Sequence, residues 1–172
     1  MWQGIGALFV LGGVTGILYN WVEIQKKRQM RLEEFIKFIH KSIYAMESEK
    51  VKIVDFFLQY SMEYDKLLEC TLHEIGMRLQ TNTYSAGQIA WIEVFEEKKK
   101  DWMLKEEMFD CILRTGNGFF GRSIQENTSI LEKCLQELEE IKKESKVKEI
   151  QERKVWIPVG MLGGVMIIIL FI

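Results

Sequence analysis

The sequence predicts an all-α protein in which a helical bundle of about six helices is flanked by two transmembrane helices. The 172-residue chain contains a single Pro, which favours long helices over a multi-stranded sandwich or barrel. Its 23 Lys and Arg and 25 Asp and Glu side chains all lie between Glu23 and Lys154, so both ends are uncharged. Between those ends the apolar residues recur at helical spacing.

Residues 1–22 and 155–172 are predicted to be the two spans. As a helix, the run Trp2 to Val22 would be about 32 Å long, which is enough to cross the hydrocarbon core of a bilayer. The run Trp156 to Ile172 would be about 26 Å long, which is at the short end of what can span. A cleaved secretory signal is the main alternative for the first run. The anchor is favoured because no basic residue precedes the run and no small-residue cleavage site follows it.

Basic residues flank both apolar runs on their inner sides only. They are Lys26, Lys27, Arg28 and Arg31 after the first run, and Lys146, Lys148, Arg153 and Lys154 before the second. The positive-inside rule therefore places residues 23–154 in the cytoplasm and both termini on the far side of the cell membrane. We expect these membrane-proximal basic residues to face membrane lipid.

Each apolar run also contains glycines four residues apart. They are Gly12 and Gly16 in the first run, and Gly160 and Gly164 in the second, with Gly163 beside them. Such spacing lets helix backbones approach closely, so the spans are candidates for pairing within one chain or between protomers of a homo-oligomer. The alternative is that glycine is simply frequent in membrane helices.

Six apolar blocks between the ends predict amphipathic helices that bury one face. The blocks are Leu32 to Ile43, Val51 to Leu58, Leu68 to Leu79, Ile89 to Phe95, Leu104 to Ile112 and Leu131 to Ile141. Ser85 with Gln88 and Ser123 with Glu126 have the form of capping boxes that open the fourth and sixth helices. The sixth helix is predicted to run on as a long stalk into the second span.

The glycines between the last two helices have the spacing of a dinucleotide-binding turn. Gly116, Gly118 and Gly121 match G-x-G-x-x-G, but that motif requires a preceding strand and a parallel sheet. We therefore interpret them, with Ser123, as an interhelical turn that begins where the fifth helix ends at Gly116. Phe119 and Phe120 within it are expected to fill a hydrophobic gap.

No residue set in the sequence has the pattern of a catalytic or metal site. His73-Glu74 lacks the second histidine of a zinc-protease helix, and the three cysteines Cys70, Cys111 and Cys134 include no C-x-x-C. Cys111 and Cys134 lie on or beside apolar stripes and are expected to be core thiols. A net charge of −2 argues against nucleic-acid binding. We predict no enzyme activity and no cofactor.

Three segments, in this order, resemble the stage III sporulation protein AB family of endospore-forming bacteria. They are Ala90-Trp91, the turn from Gly118 to Ser123, and Gly160-Met161-Leu162-Gly163-Gly164 with the apolar tail. The resemblance covers essentially the full length. The sequence departs from the usual family pattern at three places, where Asp and Gln are replaced by Ile124 and Thr128, and a Leu-Glu pair by Ile39-His40.

The resemblance implies a cytoplasmic bundle similar to the domains of type II secretion F proteins. It also implies a platform subunit of a channel between mother cell and forespore, with other channel subunits and the AA ATPase as partners, in the mother-cell membrane facing the forespore. The alternative, motivated by the stalk from Ser123 to Lys154, is a membrane-anchored helical regulatory or signalling protein.

Overall fold

A computed structural model of the chain describes residues 2–49, 53–60, 64–81 and 87–171. Within these ranges the chain is all-helical and contains no strand, which confirms the predicted class. Seven α-helices are described, and a π-helical turn, Ala45–Glu49, follows the first of them. The helices are α1 Trp2–Tyr44, α2 Ile53–Tyr60, α3 Lys66–Gln80, α4 Gly87–Glu97, α5 Lys99–Trp102, α6 Glu106–Phe119 and α7 Ile124–Phe171.

The predicted apolar blocks correspond to α1, α2, α3, α4, α6 and α7, and the structure adds the short helix α5. Val51 and the predicted cap Ser85 lie outside the described residues. The second cap is confirmed, because the backbone N–H of Glu126 donates to Ser123 Oγ at 3.2 Å. Two boundaries differ from the prediction: Leu104 precedes α6, and α6 continues beyond Gly116 to Phe119.

The chain divides into two compact units. The smaller unit comprises Met1–Lys27 and Lys143–Ile172, and the larger comprises Arg28–Lys142. Among the described residues, we find no helix of the length and apolarity needed to cross a membrane. The two flanking spans are therefore unsupported by the structure and stay predictions.

Aromatic side chains form the core of the larger unit. Trp91 of α4 is fully buried, with its ring centroid 4.6 Å from that of Phe95 and 5.0 Å from that of Phe119. Phe38 of α1 packs against the ring of Phe119 at 5.5 Å. Such ring pairs contribute about 0.5–1.5 kcal/mol each beyond the burial of their surface. The rings therefore join α1, α4 and α6 in one cluster.

Three buried hydroxyl groups in this core are satisfied within their own helices. The hydroxyls of Ser42, Thr71 and Thr115 donate to the carbonyls of Phe38, Leu67 and Ile112, at 2.7, 2.7 and 2.6 Å. The last carbonyl also accepts the indole N–H of Trp91, at 3.1 Å. Hydrogen bonds of this kind remove the cost of burying an unpaired donor.

The part of α7 within the larger unit packs through a narrow apolar seam, as the sequence predicts. Leu131, Leu135 and Leu138 are buried. Beside the seam, Lys142 Nζ lies 2.9 Å from Glu33 Oε1 on α1, and Arg114 of α6 pairs with Glu137. The apolar seam and the ion pairs beside it thus hold α7 against both α1 and α6.

Cys111 and Cys134 are buried free thiols on α6 and α7, which confirms their prediction as core residues. Cys111 Sγ donates to the carbonyl oxygen of Cys134 at 3.6 Å. The contact with Cys134, together with burial, raises the pKa of the Cys111 thiol. This thiol is therefore protonated at neutral pH and acts as a packing group.

Helices α3 and α4 are joined by a cluster of ion pairs around Arg78. Its guanidinium pairs with Glu74 in the same helix and with Glu97 of α4, the latter at 2.6 Å. Lys98 Nζ lies 2.7 Å from Glu74 Oε2. The hydrogen bond from Lys98, with a further one from Arg78, holds the pKa of the Glu74 carboxyl below its ordinary value of 4.5.

The depressed pKa of Glu74 predicts a pH-dependent contribution to stability. We expect Glu74→Gln to lower the free energy of unfolding at pH 7 by up to about 1 kcal/mol, because the pairs are partly exposed to solvent. The ionised carboxylate stabilises the folded state above pH 4.5, and this contribution is lost as the pH falls through the lower folded-state pKa. Urea unfolding at pH 7 and pH 3 measures the difference. Glu107→Gln, at an exposed carboxylate of α6, is the matched control; a Glu74→Gln effect of the same size at pH 3 as at pH 7 would contradict the assignment.

The compactness of the larger unit predicts that the fragment from Glu23 to Lys154 folds by itself. We expect the fragment to stay in solution without detergent, because its core lies within Arg28–Lys142. Its circular dichroism spectrum should have the two minima of an α-helical protein and a cooperative thermal transition. A spectrum dominated by coil or strand would contradict this prediction.

Candidate functional site

The predicted interhelical turn is displaced along the chain, because Gly116 and Gly118 both lie inside α6. A Cβ on Gly116 would lie 2.7 Å from Trp91 Cδ1, and a Cβ on Gly118 would lie 2.6 Å from Leu131 Cγ. No glycine among the described residues has a positive φ. The two positions therefore require glycine because α4 and α7 approach the backbone of α6 closely, rather than because of an unusual backbone conformation.

The turn itself runs from Phe120 to Ser123 and positions the start of α7. The N–H of Phe120 donates to the carbonyl of Gly116 at 3.2 Å, and Ser123 caps α7. Gly121 lies against Asn127, since a Cβ there would come 2.0 Å from Asn127 Oδ1. Phe119 is buried in the aromatic core and Phe120 is packed at its edge, which confirms that these two rings fill a hydrophobic gap.

The sequence did not identify the glycine on which Phe120 packs. This residue is Gly87, the first residue of α4, where a Cβ would lie 2.4 Å from Phe120 Cδ1. The only sequence signal for this packing position is a glycine one residue before Gln88. Nothing local shows that the ring which covers Gly87 comes from more than thirty residues later in the chain.

The predicted basic residues fall into two groups. Arg28 Nε donates to the carbonyl of Met103, and Arg31 donates to the carbonyl of Asp101. Arg31 thus holds α5 itself, and Arg28 holds the residue that follows it, Met103, which has a left-handed φ of 53°. The remaining six are exposed, and two of these have acidic neighbours on their own helices: Lys27 pairs with Glu23 at 2.8 Å and Lys148 with Glu144 at 3.7 Å.

Of the predicted helix-packing glycines, Gly12, Gly16 and Gly163 have open space where a Cβ would be. Gly164 is buried and Gly160 is partly exposed. The described contacts therefore do not bring these glycines together, and their role in helix pairing stays a prediction.

Each of the two units contains a cavity lined by described residues. One, of about 650 Å³, belongs to the smaller unit and is lined by Ile17, Tyr19, Trp21, Val22, Glu152, Trp156 and Ile157. The other, of about 360 Å³, belongs to the larger unit and lies between the π-helical turn and the start of α7. Its lining is Met46, Glu47, Ile124, Gln125 and Thr128. Among the described residues, no group of three or more His, Cys, Asp or Glu side chains could hold a metal ion.

The departures from the usual family pattern have definite places in the structure. Ile124 and Thr128 line the smaller cavity. Ile39 is fully buried in the core, and His40 Nε2 lies 3.8 Å from Glu139 Oε1 of α7. Two of these residues thus lie at a cavity, one lies in the apolar core and one lies at a contact between α1 and α7.

The fold and its glycine contacts define a class of protein: an all-helical bundle whose long first and last helices both continue into uncharged terminal segments. The family model described as stage III sporulation protein AB matches residues 3–172, which is essentially the entire chain. The chain belongs to this family, and the resemblance drawn from the sequence is confirmed. Searches of curated proteins and of solved structures found no match.

The close contact at Gly118 predicts a destabilising substitution. We expect Gly118→Val to lower the free energy of unfolding by about 1–3 kcal/mol, because a larger side chain would force Leu131 and the backbone at Asn127 to move. Urea unfolding of the fragment Glu23 to Lys154 measures this. Asn117→Ala is the matched control, since Asn117 is the exposed neighbour in the same turn of α6. Equal stability of the Gly118→Val variant and the parent would show that the helices are not in close contact there.

Proposed function

We propose that this protein is a non-enzymatic membrane platform subunit of a sporulation channel or secretion-like complex that links mother cell and forespore. In this function it positions a cytoplasmic ATPase, for which the AA ATPase of the resemblance is the candidate. Membership in a stage III sporulation family is consistent with a role in sporulation and supports this assignment.

The observation that carries the proposal is the continuity of the first and last helices. α1 has 43 residues and α7 has 48, and each contains both an uncharged terminal segment and residues of the larger unit's core. Two such helices would attach the bundle to a membrane at two points, and attachment at two points suits a platform for another protein.

The proposed topology combines this continuity with the charge pattern of the sequence. Residues 1–22 and 155–172 would form the two spans, and residues 23–154 would form the cytoplasmic domain. Both termini would lie on the far side, and the protein would reside in the mother-cell membrane that faces the forespore. The exposed basic residues near both ends support this orientation, since anionic lipid attracts them.

A structural role, rather than a catalytic one, is supported by how the polar side chains of the larger unit are used. The buried hydroxyls donate to carbonyls of their own helices, and Cys111 is a buried thiol with a raised pKa. Arg78 and Lys98 are engaged with carboxylates between α3 and α4. These groups stabilise helix contacts, and none of them is poised as a nucleophile or a general base.

The proposal predicts when, where and with what the protein assembles. We expect a fusion of the central domain with a reporter that fluoresces only in the cytoplasm to appear during engulfment at the membrane around the forespore. Crosslinking followed by pull-down from the same cells should recover the AA ATPase and other channel subunits. Signal in vegetative membrane without these partners would favour the regulatory alternative instead.

A break in α7 tests whether the recovery depends on helix continuity. Lys146→Pro introduces a residue that cannot continue the helical hydrogen bonds, whereas Lys146→Ala at the same exposed position leaves the helix intact. Recovery of the ATPase should fall at least several-fold for the proline variant and stay unchanged for the alanine variant at equal protein levels. Equal recovery from both variants would count against a positioning role for α7.

A further inference from the structure

The smaller unit contains an apolar groove whose shape and charge suit a particular ligand. Its volume of about 650 Å³ lies within the range of about 300–1,000 Å³ typical of small-molecule sites. Aliphatic and aromatic side chains from α1 and α7 line it, and Glu152 is the one carboxylate among the lining residues described. An apolar ligand of extended shape would fit such a lining.

Aromatic residues indicate where along the two helices this groove lies. Tyr19 and Trp156 line it and are 71% and 59% exposed. Rings with a polar edge concentrate at the boundary between hydrocarbon and lipid headgroups, where one side of the ring is apolar and the other is wet. The groove therefore has the composition of a site at that boundary.

Basic residues stand at the same edge of the groove on both of its helices. Lys26 follows the lining residue Val22 by four positions in α1, and Arg153 precedes the lining residue Ile157 by four positions in α7. Residues four apart share a helix face, so both cations lie one turn beyond the apolar lining, away from the chain termini. Both are exposed.

We propose that this groove binds one anionic phospholipid, with an acyl chain along Ile17, Val22 and Ile157 and the phosphate between Lys26 and Arg153. The inference rests on the proposed membrane position of the two end segments and assigns a lipid ligand to that position. The two cations and the apolar lining together match a molecule that carries negative charge at one end of a hydrocarbon chain, and basic side chains beside a hydrocarbon layer attract an anionic headgroup.

Native mass spectrometry of the full-length protein tests the proposal. The protein is extracted from nanodiscs that contain equal amounts of phosphatidylglycerol and phosphatidylcholine, and the lipids that remain bound are counted. The expected result is one retained phospholipid per chain, with phosphatidylglycerol several-fold preferred. The variant Lys26→Gln/Arg153→Gln should lose that preference. Equal retention of the two lipids by the parent, or an unchanged preference in this variant, would overturn the proposal.

A matched pair of substitutions separates the groove from general surface charge. Lys66→Gln/Lys100→Gln removes two exposed positive charges from the larger unit, and it should retain the lipid preference of the parent. An equal loss in this control would also overturn the specific site. Flotation of the parent on vesicles distinguishes the two proposals: a chain that floats without lipid preference refutes the groove alone, whereas a chain that does not float refutes the membrane position and the groove with it.

Discussion

The contact between the indole of Trp91 and the backbone of α6 is the constraint on which the larger unit depends. The ring lies where a side chain at Gly116 would be, and its N–H donates to the carbonyl of Ile112 one turn earlier. The approach of α4 to α6 is fixed both by shape and by a directional hydrogen bond. From this position the ring also packs against Phe57 of α2 and Phe35 of α1, so that α2 and α1 are arranged around it.

A second close approach, two residues further along α6, extends the same arrangement to α7. Gly118 admits Leu131, and the turn from Phe120 to Ser123 returns the chain so that α7 begins beside the helix it has just left. The two glycines, which are two residues apart on α6, thus face different helices, α4 and α7. The pair determines how three helices meet, and this packing explains why both residues are glycine without invoking a bound ligand.

The helices could be predicted from the sequence because the apolar spacing is strong, and the cap at Ser123 because its partner is only three residues away. The exact end of α6 could not. Gly116 resembles a helix stop, yet the backbone continues because the packing of Trp91 compensates for the poor helix propensity of glycine. The short helix α5 was also missed, since its sequence Lys99–Trp102 offers a single apolar residue. The contacts of Arg28 and Arg31 could not be foreseen either, because their acceptors lie 75 and 70 residues away along the chain.

Arg28 and Arg31 also differ from the exposed basic residues near them in whether lysine could take the place of arginine. A cation that only faces solvent or an anionic surface can be lysine or arginine, since its charge is what matters. Arg28 and Arg31 instead direct planar guanidinium donors at backbone carbonyls beside α5, a geometry that the point charge of an ammonium group does not reproduce. Exchange between lysine and arginine during evolution would thus be tolerated at Lys26, Lys27 and Lys146. The same exchange would be selected against at Arg28 and Arg31.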